Sequence, residues 1–470
     1  MKRRDFLKRA ARATALFLAA PPVRAEESGE IRLFVDYEHP GRAIARDFIG
    51  LSYESALLSS PDYFTATNRS LIGLMRTLSH QGVLRIGGNT SERTFWRAKN
   101  SAATIPEGYA ITPEAIDRLA NMLRALGWKL IYGLNLARGS LASAAGEAAY
   151  VARAVGPRLL AFQIGNEPDG FGRWSGVRPT TYDFAAFVAE WRRFRDAIRA
   201  VLPKAPFAGP DVAAETGWVS AFAKAAGEGV VLLTRHYYAD GPATDPAVTL
   251  AKLLRTTPNL DATLAEVQAY GNAARRPFRI AEINSVYSGG RPGVSNTLGA
   301  ALWGLEAMWQ IAAAGGTGVN FHGGDDKVYT PIGVGDGGQH RAMPLYYGLL
   351  MFARASRGVL VPSRMQGGEG SLAAYACRVS NGALRTCLIN KDLARGMLFR
   401  IDASHTFSKS SVLRLDGPAA HATANVKLGD AAVDPFGRWT PRHQHEVVRW
   451  RGREAIVAVP AASAALVTFE

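Results

Sequence analysis

Long apolar runs are missing from this chain. No stretch reaches the roughly 18 residues that a helix needs to cross a bilayer, so nothing here spans a membrane. Low-complexity tracts are missing too, and a hydrophobic content of 47% is ample for a large core. No basic run is interleaved with aromatics, which argues against nucleic acid as a partner. No Gly-rich fingerprint follows the first strand pattern, which argues against a dinucleotide cofactor and an open doubly wound sheet. No His-x-His or His-Glu-x-x-His spacing occurs. A metal-dependent barrel hydrolase would have to draw on scattered groups such as His236, His322 and Asp211, and neither metal nor cofactor is expected. Cysteine is scarce, at two residues in 470.

What is present begins with an export pattern. Lys2-Arg3-Arg4-Asp5-Phe6-Leu7-Lys8 leads into an Ala/Leu/Phe stretch and then Pro21-Pro22-Val23-Arg24-Ala25. A basic segment, a short apolar segment and a small-residue cleavage site in that order make residues 1–25 an export signal. The paired arginines are of the twin-arginine type. The expected location is therefore periplasmic or secreted. Removing the signal takes away seven basic residues and one acidic one, and the net charge falls from +15 to +9. A mature chain that basic favours an anionic partner, such as an acidic polysaccharide.

The two cysteines, Cys377 and Cys387, flank Ser380-Asn381-Gly382, and Asn-Gly between short alternating runs signals a hairpin. Nearly opposite on adjacent strands, they form either a disulfide, which an oxidising compartment permits, or two free thiols.

From residue 47 to 346 short apolar runs alternate with helix-length patterns. Strands are expected at 48–54, 83–88, 129–136, 159–165, 207–210, 230–238, 278–284 and 318–323, and helices at 112–126, 181–201, 261–274 and 296–314. Thr112-Pro113-Glu114 is a helix start with its cap and its proline in place. Eight such repeats predict a (β/α)₈ barrel. Segments 372–379, 383–390, 411–415, 446–450 and 464–469 are short and strand-like, so residues 347–470 read as an antiparallel β-sandwich. The strand in residues 26–46 is expected to join it. Oligomeric state is left open.

Active-site groups of such barrels sit at the C-terminal ends of strands. Here those ends carry Glu54, Asn89, Asn135, Asn166-Glu167, Asp211, His236-Tyr237-Tyr238, Glu282-Ile283-Asn284 and His322. Glu167 ends the fourth strand and Glu282 the seventh, facing one another across the ring. Glycoside hydrolysis uses such a pair, one carboxylic acid protonating the leaving oxygen and one carboxylate attacking the anomeric carbon. Asn166 is placed to hydrogen-bond a sugar 2-hydroxyl. A non-catalytic carbohydrate-binding protein on this fold would be expected to lose one of the two glutamates.

Asn166-Glu167-Pro168 ending strand four, with Glu282 ending strand seven, resembles the clan of retaining barrel glycosidases. Within it the chain is similar to glycoside hydrolase family 79, the β-glucuronidases and heparanases. The segments that carry this are 84–90, 127–135, 163–168, His236-Tyr237-Tyr238, and Glu282 through Tyr287 and Gly289. The resemblance implies Glu167 as acid/base and Glu282 as nucleophile, acting on β-D-glucuronides or, alternatively, within heparan sulfate. It also implies Tyr287, Gly289 and Tyr329 as ligands of the uronate carboxylate, Tyr238 as the group positioning the nucleophile, and Glu54 on sugar hydroxyls. Arg291, Lys327 and Arg341 lie in the loops after strands seven and eight, as candidates to meet sulfates or neighbouring uronates. The segment 94–109 would shape a closed pocket or an open cleft, and so decide between exo and endo action.

Overall fold

Eight parallel strands form a closed ring in chain order: β1 (Ile49–Glu54), β2 (Val83–Gly87), β3 (Lys129–Leu134), β4 (Leu159–Ile164), β5 (Phe207–Val212), β6 (Val230–Asp240), β7 (Phe278–Val286) and β8 (Val319–Gly323). β8 pairs with β1 and closes it. This computed structural model describes residues 30–99, 107–368, 370–442, 448–451 and 454–470. The export signal expected in residues 1–25 lies outside them. No helix among the described residues is long and apolar enough to cross a membrane.

The helices between the strands form where the sequence caps them. In Pro113–Leu126 the Thr112 side chain accepts the Ala115 N–H, and Ile116, Leu119, Ala120 and Leu123 make one buried stripe. Helix Leu298–Ala313 differs, being buried nearly all round. One side meets the barrel. On the other, Trp309 stacks on Tyr375 of the β-sandwich, with ring centroids 5.4 Å apart. Lys391 of the sandwich and Glu306 of this helix add an ion pair of 2.6 Å at the same seam, both side chains buried.

The barrel floor mixes two kinds of filling. Val83, Ile131, Ala161, Ala208 and Leu232 form a small apolar cluster. Toward β7, β8 and β1 the floor is polar. Arg279, fully buried, donates to the Asn320 side chain and to the carbonyls of Asp47, Phe48, Thr317 and Val319. Gly50 makes room for this: a Cβ there would sit 2.6 Å from the Arg279 guanidinium, the Asn320 amide and the Val83 carbonyl.

The second part is two packed sheets. One, in spatial order, is Ser363–Gln366, Glu30–Val35, Met397–Asp402, Glu454–Val459 and Arg449–Arg451. The other is Gly358–Val361, Leu372–Val379, Leu384–Asn390, Ser463–Phe469, Ser410–Asp416 and Lys427–Leu428. Ile31, Leu33, Phe399, Val457, Leu388 and Val467 interdigitate between them. Glu30–Val35 pairs in parallel with Met397–Asp402, so this sheet is not purely antiparallel.

One expectation needs correction. The helix Pro344–Ala355 crosses the anticipated boundary at 346/347, so the barrel ends after Ala355. All its residues but Arg354 are buried, because it is wedged between barrel and sandwich. Of the two states left open for the cysteines, the structure has the second: Cys377 and Cys387 are buried free thiols. The hairpin register sets Cys377 opposite Arg385 and Cys387 opposite Tyr375, two residues out of step, so the sulfurs are not cross-strand partners.

Candidate active site

β4 and β7 are separated on one side of the ring by β5 and β6 alone, and those two strands supply the groups that join the glutamates. Glu167 follows β4 in the left-handed region at φ 49°, as does Asp211 on β5 at φ 64°. That conformation costs an L residue about 1 kcal/mol. It is held by the Glu167 N–H, which donates to the Asp211 carbonyl at 3.0 Å. Asp169 fastens the same loops by accepting the N–H groups of Ala213, Ala214 and Glu215.

His236 on β6 links the carboxylates. Its Nδ1 lies 2.8 Å from Glu167 Oε1, its Nε2 lies 2.8 Å from Asp211 Oδ2, and Glu282 Oε2 is 4.0 Å from Nδ1. Burial opposes its charge, but Asp211 and Glu282 outweigh that and push its pKa up to about 10. Two carboxylate oxygens at 2.8 Å, one on each nitrogen, favour the doubly protonated ring.

Arg85 projects from the middle of β2 into the barrel with no exposed side-chain surface. It donates to Asp211 Oδ2 at 2.6 Å, to Asn166 Oδ1 at 2.7 Å, to Ser52 Oγ at 3.1 Å and to Glu282 Oε2. Tyr238 donates its hydroxyl to the other oxygen of Glu282, Oε1, at 2.7 Å. His322 Nδ1 stands 3.6 Å from Glu282 Oε2. Burial raises the Glu282 pKa, yet His322, His236, Arg85 and the Tyr238 hydroxyl overcome it and hold the carboxyl well below the usual range. Glu167 shifts the opposite way. Burial and the neighbouring Glu282 carboxylate raise its pKa, and His236 only partly offsets them. One carboxylate is thus held ionised while the other retains a proton more readily. Single oxygens of Glu167 and Glu282 lie within 4.8 Å of one another.

Glu167, His236 and Glu282 are also close enough to be considered as a metal site. In the structure both His236 nitrogens are engaged, each 2.8 Å from a carboxylate oxygen, Glu167 Oε1 and Asp211 Oδ2.

Tyr329 and Tyr287 gather beside Tyr238. The Tyr329 hydroxyl lies 3.5 Å from that of Tyr238, and the Tyr287 ring meets Tyr238 edge-on at 6.5 Å. Gly289, at φ 88°, occupies a turn that favours glycine. Its carbonyl accepts the Val328 N–H at 2.7 Å, tying the β7 loop to the loop that carries Tyr329. Glu54 sits on the facing side, where its Oε2 accepts the Thr90 N–H and hydroxyl and its Oε1 is 3.5 Å from His322. The Asn166 amide donates to Asn89 Oδ1 at 3.1 Å, which leaves one N–H uncommitted. Glu54, Asn166, Glu167, Tyr238, Glu282, Tyr287, Gly289 and Tyr329 lie together at this mouth, whereas Asn135 is engaged with Thr94, Arg138 and Gly139. Of the loop cations, Arg291 is occupied by the carbonyls of Ala243 and Asp245, and Lys327 by Asp326.

Sequence reasoning set Asp211 and His236 at strand ends, as groups a metal hydrolase would draw on, and gave no role to Arg85 or Glu92. Glu92 is buried and accepts the N–H groups of Asn166 and Ala137 at 2.7 and 2.6 Å, and burial pushes its pKa up to about 7. An arginine amid Val83-Leu84-Arg85-Ile86 was the visible signal, because a charge inside a barrel strand must have a partner.

No protein-family model matches the chain. It is 28% identical over 350 residues to a β-glucuronidase of Neurospora crassa, covering 64% of this chain and 61% of that protein. It is 27% identical over 398 residues to a β-glucuronidase of Aspergillus niger, covering 75% and 71%. Its relatives are β-glucuronidases. The chain thus spans about three fifths of the first relative's length. Among solved structures it resembles a 4-O-α-L-rhamnosyl-β-D-glucuronidase from Fusarium oxysporum, with TM-score 0.76, 20% identity, and coverage of 93% of this chain and 100% of that one. A family 51 arabinofuranosidase from Xanthomonas axonopodis pv. citri gives TM-score 0.71 at 15% identity, covering 94% and 100%. At those identities the structures speak for the fold alone, a (β/α)₈ barrel with an appended sandwich.

Proposed function

We propose that this protein is a glycoside hydrolase, a retaining β-glucuronidase working by double displacement. The observation that carries the reading is the carboxyl pair, within 4.8 Å and with opposed proton affinities. Glu282, ionised, attacks the anomeric carbon as Glu167 gives its proton to the glycosidic oxygen, and the C–O bond to the leaving group breaks. A glucuronyl ester on Glu282 results. Glu167, now a carboxylate, takes a proton from water, whose oxygen attacks the same carbon and releases glucuronic acid and free Glu282. Tyr238 and Arg85 keep both oxygens of the nucleophile oriented. The β-glucuronidase relatives support glucuronides as substrates. So does the wall of Tyr287, Gly289 and Tyr329, whose hydroxyls and N–H can donate to a uronate carboxylate.

The test is an aryl β-glucuronide assay. Glu282→Gln should abolish hydrolysis. Glu167→Ala should lose about 10²–10⁴-fold on poor leaving groups, keep partial activity on activated aryl glucuronides, and gain turnover with azide, forming the β-glucuronyl azide. Near-normal turnover by Glu282→Gln, or an α-azide product, would overturn the assignment.

A further inference from the structure

At the end of the barrel opposite the glutamates, a cavity of about 820 Å³ opens between the floor and the sandwich. Arg46 and His80 line it from the barrel and Arg357 and Arg378 from beyond it, and no Asp or Glu is among its walls. A second cavity of about 270 Å³ shares Arg357 and adds Arg354 and Arg385 beside the hydroxyls of Ser411 and Thr468, again without a carboxylate. Arg46 and Arg357 are exposed and have no partner among the described residues. The Arg354 Nε is buried with no acceptor. Asp47, next to Arg46, is engaged by Lys129 at 2.7 Å. Burial and the neighbouring charges of Arg357 and Arg385 lower the Arg354 pKa, while Arg354 donates to the Thr77 carbonyl and Arg385 to the Arg354 carbonyl, and the Glu470 carboxylate acts on Arg385.

We infer that this seam is a second, non-catalytic binding groove for an acidic oligosaccharide. A concave, low-dielectric wall lined by one sign of charge focuses its potential on an anion, and an anion bound there relieves the repulsion among the arginines. Guanidinium forks suit carboxylate and sulfate alike. The hydroxyls of Ser356 and Ser380 in the larger cavity suit sugar hydroxyls. Single-stranded nucleic acid needs open aromatic faces on which bases stack. Here the Tyr37 ring is covered by His405 at 4.4 Å and by Arg378 at 5.1 Å, and Trp439 by Arg354 at 4.9 Å. The groove would hold an acidic polymer while the far mouth acts on a chain end. It relies on the glucuronidase reading only for its choice of ligand.

The experiment measures binding of three octasaccharides to the full chain by fluorescence anisotropy: an unsulfated uronate-containing one, a sulfated one and a neutral glucan. It is run at about 50 mM salt, where charge is weakly screened, with the mouth saturated by an aryl thio-β-glucuronide. Both acidic octasaccharides should bind and the neutral one should not. Stronger binding of the sulfated chain would identify sulfate as the preferred group, and equal binding the uronate. Arg46→Glu/Arg357→Glu should weaken binding by about tenfold or more and leave kcat/KM on an aryl β-glucuronide unchanged. Acidic chains binding no better than the neutral glucan would overturn the proposal, as would a variant that binds undiminished, or bound duplex DNA that the octasaccharides fail to displace. Absence of glucuronide hydrolysis would count against the catalytic reading alone, since the binding comparison remains readable.

Discussion

Replacing Arg85 tests the electrostatic design most directly. The guanidinium has no exposed surface and bridges Asp211 and Glu282 while also holding Asn166 and Ser52. Arg85→Met would fill similar volume and strand two buried carboxylates. Hydrogen bonds to charged groups contribute about 1.5–3 kcal/mol each, so losing the two carboxylate bonds costs about 3–6 kcal/mol. Breaking one side of a buried ion pair typically costs about 3–5 kcal/mol, which agrees. Arg85→Lys keeps the charge but not the fork, and should lose about half as much. The assay is urea unfolding across pH. The folded-state pKa of Glu282 lies below its unfolded value, so its contribution is present above about pH 4.3 and fades as pH falls toward the folded pKa. The gap between wild type and Arg85→Met should therefore be widest near neutrality and narrow below about pH 4. Removing one stranded carboxylate in Arg85→Met/Asp211→Asn should return at least about 1 kcal/mol. In parallel, the acid limb of kcat/KM should move to higher pH in Arg85→Met, because the nucleophile is then easier to protonate. A loss under about 1 kcal/mol that does not vary with pH, with an unmoved acid limb, would refute the reasoning.

Three further outcomes are expected. Tyr287→Phe should lower kcat/KM for an aryl glucuronide by about 10- to 100-fold, the size of one hydrogen bond to a charged group, and leave the matching glucoside nearly unaffected. Equal effects on both would remove Tyr287 from carboxylate binding. Gly50→Ala should lower stability by about 1–3 kcal/mol, because the added Cβ meets Arg279, Asn320 and the Val83 carbonyl at 2.6 Å; an unchanged melting temperature would show that the floor yields. Burial pushes the Cys377 and Cys387 thiols up to about 12. Neither should react with a disulfide reagent in native protein near pH 8, and both should react in urea without prior reduction.

The barrel was legible because the two periodicities are local. A run such as 278–284 followed by a capped helical pattern reads as strand then helix wherever it stands, and the observed strands keep those positions within a few residues. Strand ends were less clear. β6 and β7 run two residues further than expected, to Asp240 and Val286, because the mouth pairs their last residues in register. Met397–Asp402 went unseen as a strand although Met397, Phe399 and Ile401 alternate inward. Its short pattern gains meaning only from the strand Glu30–Val35 that lies beside it, more than 360 residues earlier in the chain.

By itself the sequence determined the eightfold alternation, the trailing sheets and two glutamates at strand ends four and seven, since each depends on residue type and near neighbours. Tertiary structure decided the rest. Whether two cysteines meet depends on register, and a slip of two residues keeps Cys377 and Cys387 apart. Which glutamate is ionised depends on charges arriving from other strands. Arg85 comes from β2, His236 from β6 and His322 from β8, and all converge on Glu282, while Glu167 keeps burial and one imidazolium. A carboxyl group's proton affinity is set by what surrounds it within a few ångströms, and in a closed barrel those surroundings come from distant parts of the chain.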